Sequence, residues 1–159
     1  MENTTKNFKN EQGGGKKDSN NNYKKEELPE GYLSGGYFKI ADGEKVLRPE
    51  YIVKYPKKIA VGLSGISSKN KRSQVRKYYQ YILRIQGLLR RKNNNFPSVE
   101  AELDRLLPFV KYAESRGTVS PLFRNFIEKN IMIIHNGEDL NAFVKHFEAV
   151  VAYLPKEKN

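Results

Sequence analysis

The sequence contains no cysteine, which removes disulfides, thiolate metal sites and cysteine nucleophiles together. It also lacks any apolar run near membrane-spanning length, and its start has no apolar signal region. A soluble cytoplasmic protein is the expectation. Alternation of apolar and polar residues with period two is never sustained, so strands are not expected to dominate. The most informative absence is regional. From Tyr51 to Pro97 there is no Asp or Glu, while twelve Lys or Arg stand in the same stretch.

That stretch holds nearly all of the net charge of +11. Residues 1–30 carry six basic and six acidic side chains, and residues 98–159 carry eight and nine. Residues 31–97 carry fifteen basic and three acidic ones, a local net charge of +12. A confined excess of one sign is an electrostatic footprint, and nucleic acids are the commonest polyanions that reward one.

Residues 1–30 are rich in Asn, Lys, Glu and Gly, with Phe8, Tyr23 and Leu28 as their large apolar residues. Burial cannot offset the entropy of ordering such a segment, so it reads as a disordered tail. Residues 31–155 read as one all-α domain, a compact bundle of about four to five helices. Within it, 31–66 form an irregular or short-helix part and 67–155 the main bundle, leaving 156–159 as a C-terminal tail. A turn is expected at Asp42-Gly43. A short helix is expected from Pro49, limited or kinked by Pro56.

The first long helix is expected from Ser67 or Ser68 to the Asn93-Asn94-Asn95 loop, with Val75, Tyr78, Tyr79, Ile82, Ile85 and Leu89 at helical spacing. A second begins at Ser98, is interrupted near Pro108 and resumes to Ser115, where Gly117 stops it. A third starts at Ser120-Pro121 and buries Phe123, Phe126, Ile127, Ile131 and Ile134. The fourth, from Glu138 or Asp139, buries Leu140, Phe143, Phe147, Val150, Val151 and Leu154.

On a wheel of the 68–91 helix the apolar residues share one arc. Lys69, Arg72, Arg76, Lys77, Arg84, Arg90 and Arg91 occupy the other. Exposed faces usually mix signs and gain from opposite pairs one turn apart. This one forgoes them, and a row of guanidinium and ammonium groups can follow phosphates without reading bases. Charge pattern therefore nominates Lys69, Lys71, Arg72, Arg76, Lys77 and Arg84, with backbone N–H groups near Ser68 as a further anion site. Arg116, at a helix C-terminus, is a second phosphate candidate.

Other chemistry is weak. His135 and His146 invite a metal-independent ribonuclease pair, but core-edge or capping positions suit them better. Glu138-Asp139 suits a helix start and no closer acidic cluster suggests a divalent metal. Gly13–Gly15 with Lys16-Lys17 lacks the strand and spacing of a phosphate loop. No cofactor is expected. For Tyr32, Tyr37 and Phe38, a packed strap, a subunit contact and base stacking all stand open.

Several segments, in order, resemble the small subunit of type III-A CRISPR effector complexes, the Csm small-subunit family. They are Gly35-Gly36-Tyr37-Phe38, Leu47-Arg48-Pro49-Glu50, Ser73-Gln74-Val75-Arg76-Lys77-Tyr78-Tyr79 and Leu106 through Ala113 to Arg116. Pro121 through Ile127 and Phe143 through Tyr153 complete the series. Pro56, where that family makes a helix, is a departure. The resemblance implies an all-helical subunit without catalytic activity that stacks with copies of itself in a filament along paired guide and target RNA. Its implied neighbours are the backbone subunit and the large polymerase-like subunit, with no membrane. Arg76 and Arg116 are the positions that the resemblance assigns to RNA phosphates. The competing readings are a free-standing nucleic-acid-binding protein and the His135/His146 ribonuclease.

Overall fold

A computed structural model describes residues 27–65 and 68–157. The disorder expected for the tail falls, over residues 1–26, outside the described residues, as does Ser67 as a helix start. The chain is an all-α bundle carrying one small hairpin. Strands β1 (Phe38–Ala41) and β2 (Glu44–Leu47) pair antiparallel with Phe38 opposite Leu47. Asp42 and Gly43 connect them with φ of 50° and 80°, the two left-handed positions that a tight hairpin turn needs. Four-residue strands are too short to leave a period-two signal, so only their turn is readable in advance.

Helices α1 (Lys54–Ser64), α2 (Arg72–Arg91), α3 (Glu100–Asp104), α4 (Leu106–Ser115), α5 (Pro121–Ile133) and α6 (Gly137–Tyr153) follow. The pair α3 and α4 is one helix broken at Arg105, just ahead of Pro108, where the interruption was expected. The short helix at Pro49 is a single 3-10 turn, Pro49–Tyr51. Pro56 neither ends nor kinks a helix. It is the third residue of α1, where a backbone N–H would have no partner within the helix, so its absence costs nothing there.

Two helix starts also differ from expectation. Ser98 closes a 3-10 turn, Phe96–Ser98, with its hydroxyl donating back to the Asn95 carbonyl at 2.7 Å, and α3 starts only at Glu100 with Val99 in the cap position. Helix α2 begins at Arg72 and not at Ser68 because Asn70 stands in a left-handed conformation, φ 55°, which a helix cannot contain. The Asn70 side chain holds it there. Its amide donates to Leu63 O at 3.1 Å and Ser120 Oγ at 2.8 Å, and its carbonyl accepts from Ser120 N at 2.8 Å. One buried amide thus ties the end of α1, the start of α2 and the N-cap of α5. Asn70→Ala leaves these groups unsatisfied and strains the backbone, so it is expected to lower unfolding free energy by about 2 kcal/mol in denaturant melts.

The core lies around α6, which packs against α1 and α2, while α4 packs on α5. Phe147 stacks on Phe126 and Phe143 at ring-centroid distances of 5.2 and 5.6 Å. Val75, Ile82, Ile85 and Leu89 bury the inward arc of α2, leaving its opposite arc to water. Gly117, at φ 76°, ends α4 and turns the chain into α5. Among the described residues no helix is long and apolar enough to cross a membrane.

Candidate nucleic-acid interface

Because the inward arc of α2 is fixed by its four buried residues, its basic residues emerge on a surface bordered by α3 and α4. Three open depressions run along this border and meet at Tyr81. One of about 540 Å³ follows α2 itself past Ser73, Arg76, Lys77, Gln80 and Arg84. The second, about 520 Å³, lies between α2 and α4 and is lined by Lys77, Tyr78, Phe109, Tyr112 and Arg116. The third, about 290 Å³, continues to Arg91 and Arg105.

Cations and rings alternate along this surface. The Arg84 guanidinium lies 5.0 Å from the Tyr81 ring, Arg105 lies 5.2 Å from Phe109, and Arg116 lies 5.6 Å from Tyr112. Each pair is spaced three or four residues, Arg84 with Tyr81 within α2 and Arg105 and Arg116 at the two caps of α4, so local helical geometry sets the contact. The acid lining these depressions is Glu102, and it is occupied. It accepts from Arg105 at 3.1 Å and from the Tyr81 hydroxyl at 3.2 Å. Burial, with Glu102 beside it, raises the Tyr81 phenol above its ordinary pKa, so it stays a neutral donor.

Three further acids are engaged away from these depressions. Glu114 and Glu128 flank Arg124 at the α4–α5 seam, and Glu138 binds Lys45 at 2.8 Å. The basic surface therefore keeps its sign. Pairing a positive groove with a phosphate chain gains from the charge already assembled there.

The residues nominated from sequence divide into groups. Arg76, Lys77 and Arg84 are exposed on one side of α2 and line the same groove system, and Arg116 joins them across it from α4. Lys71 is exposed just before α2, and Lys69 is half-buried in the preceding loop. Arg72 turns the other way, donating to Leu154 O at 3.1 Å at the C-terminal end of α6. The anion site at the start of α2 is occupied by the chain itself, since Glu157 accepts from Ser73 N at 3.1 Å. Sequence reasoning did not single out Tyr81, Arg105, Phe109 or Tyr112. Their signal was present as Arg105/Phe109 and Tyr112/Arg116 at four-residue spacing.

The histidines are not brought together as a pair open to solvent. His135 is exposed in the α5–α6 connection, whereas His146 has no exposed surface. A backbone carbonyl accepts only, so Nδ1 of His146 donates to Tyr51 O, at 2.6 Å. Its Nε2 then accepts from the Tyr32 hydroxyl at 2.5 Å. Tyr32 accepts from Asn130 Nδ2 at 2.9 Å, and Asn130 Oδ1 accepts from the Tyr37 hydroxyl at 2.6 Å. His146 thus lies deeper than the core edge, and burial lowers its pKa to about 4. The same chain of bonds assigns Tyr32 and Tyr37 to a packed strap across the bundle. Phe38 is half-buried in the hairpin with Lys45 Nζ 4.5 Å from its ring. Among the described residues no three His, Asp or Glu side chains gather as a metal site.

Fold and surface together define a small all-α protein with one continuous basic, ring-lined face. The chain belongs to the family Csm2 Type III-A, whose model matches residues 47–157. Membership makes it a structural subunit of the type III-A Csm complex, which contains other subunits and RNA. The matched stretch includes α1 with Pro56 and the whole groove system, while the Gly35–Phe38 segment precedes it. No curated protein and no solved structure matches the chain.

Proposed function

We propose that this subunit lies along the guide RNA–target RNA duplex, stacked with further copies of itself, and holds the duplex by its backbone without reading sequence and without cleaving it. The basic groove system of α2 carries this reading. Arg76, Lys77 and Arg84 have no ion-pair partner among the described residues, so their charge is available to phosphates. A row of cations along a helix flank suits a backbone track, since A-form RNA offers phosphates and 2′-hydroxyls on its outside and hides its major-groove base edges. Within the complex, the backbone subunit and the large polymerase-like subunit are its neighbours, and the assembly is cytoplasmic.

The test is a pull-down of the tagged full-length chain from the cell that makes it, with identification of co-purified proteins and sequencing of bound RNA. Several partner subunits with short repeat-derived guide RNAs are expected. Recovery of the chain alone with heterogeneous RNA would replace this reading by a free-standing nucleic-acid-binding protein.

A further inference from the structure

We infer that the groove between α2 and α4 seats one unpaired nucleobase of the bound RNA, stacked on Tyr112 and Phe109, with flanking phosphates on Arg116 and Lys77. The inference rests on the backbone-binding reading above and adds a base site to it.

Exposure of the two rings is the first observation. Helix α4 already buries Leu106 and Val110 as its inward face, yet Tyr112 is 62% exposed and Phe109 39% exposed on the same helix. Rings left in water at this level contribute little to folding, and a patch of them beside a charged rim marks a binding surface.

The charge around the rings selects the occupant. Arg116 donates to the Tyr112 hydroxyl at 3.0 Å while its guanidinium lies over the ring, so a base would take the ring's other face. Lys77 lines the same groove from α2. A single nucleotide presents a flat π-face next to a phosphate, and this groove presents rings next to cations at the same scale. An apolar side chain from a protein partner would use the rings and leave the cations without a counterpart.

The groove is built for stacking more than for base discrimination. Leu106, Ala113, Gln74 and Thr118 line it beside the rings, and its tyrosine hydroxyls are already engaged, Tyr78 with Phe109 O, Tyr81 with Glu102 and Tyr112 with Arg116. A site with so few directional polar groups accepts any base by its face, consistent with sequence-independent binding.

The test uses the full-length chain and two labelled probes of equal length and charge: oligouridine, and the same ribose-phosphate backbone without bases. Oligouridine is expected to bind roughly 5- to 150-fold tighter, the range for stacking of one base. A Tyr112→Leu/Phe109→Leu variant, which keeps the groove apolar, is expected to bring that ratio near one while the salt dependence of binding stays as in the wild type. Equal binding of both probes by the wild type would overturn the base seat and leave the backbone reading standing. So would an unchanged ratio in the variant, or a variant that loses partner subunits in the pull-down while keeping the ratio. Absence of binding to either probe would overturn the base seat, and absence of binding to an RNA duplex in the same assay would overturn the backbone reading as well.

Discussion

An Arg76→Glu/Lys77→Glu/Arg84→Glu variant is expected to bind RNA on the order of a hundredfold more weakly at about 50 mM salt, and by a similar factor for unrelated sequences. The three side chains line one continuous groove and are exposed. Each is therefore placed to neutralise a separate phosphate and release its counterion. Loss of three contacts flattens the log–log salt dependence by roughly 2 on single strands, at about 0.7 per contact. The added carboxylates also repel the backbone, so the deficit is largest at low salt and shrinks as salt screens it. Because all three sit on the water-facing arc of α2, away from Val75, Ile82, Ile85 and Leu89, the thermal unfolding midpoint should barely move. Arg72 provides the contrast. Arg72→Gln removes a bond to Leu154 O and is expected to cost about 1 kcal/mol of stability with little change in salt slope. Filter-binding or anisotropy titrations over a salt series check both. A loss confined to one RNA sequence, or a triple variant with an unchanged slope, would contradict backbone recognition.

The sequence was most legible where one local rule decides the outcome. The inward arc of α2 follows from apolar spacing, and the stop at Gly117 follows from a left-handed turn. The fourth helix, expected from Glu138 or Asp139, is placed to within a residue or two, whereas α6 starts at Gly137 with Asn136 as its cap, accepting from Asp139 N at 2.8 Å. It was least legible where the deciding partner is distant. Asn70 sets the start of α2 through Ser120, fifty positions along the chain. Tyr32 and Tyr37 become core residues through Asn130, which lies on α5 and no local pattern connects to residues 31–37. The groove shows the same division. That the flank of α2 is basic is written in an acid-free stretch of sequence. Which of its cations share a surface depends on where α4 docks, and that separates Arg72, engaged at the end of α6, from Arg76 and Arg84. Arg116 and Arg76 are forty residues apart in sequence and belong to different helices. Their common border exists only in the folded bundle.

Acidification from about pH 6.5 to about pH 4 should destabilise the protein through His146. In the folded chain this imidazole is neutral, donating from Nδ1 to Tyr51 O and accepting at Nε2 from Tyr32, and burial holds its pKa at about 4. In the unfolded chain it titrates near 6.5. The folded-state value is the lower one, so the unfolded state binds more protons between the two values and stability falls as pH falls. The full contribution is present above about pH 6.5 and is lost by about pH 4, a change of roughly 3 kcal/mol at about 1.4 kcal/mol per pH unit. No charged group among its close contacts offsets this. The tyrosines around it, Tyr32, Tyr37 and Tyr51, all have pKa values raised by burial and stay neutral. A second proton on the ring would face the Tyr32 oxygen, which already accepts from Asn130, and would leave the Tyr32 hydrogen without its acceptor. Urea unfolding of the wild type and a His146→Gln variant between pH 7 and 4 isolates the effect, because carboxylate titration is common to both. The variant is expected to be less stable throughout, yet its stability should fall about 3 kcal/mol less across the interval. Parallel pH profiles would mean that a protonated His146 fits within the core, and the buried Tyr32–His146–Tyr51 chain would then have to open without unfolding.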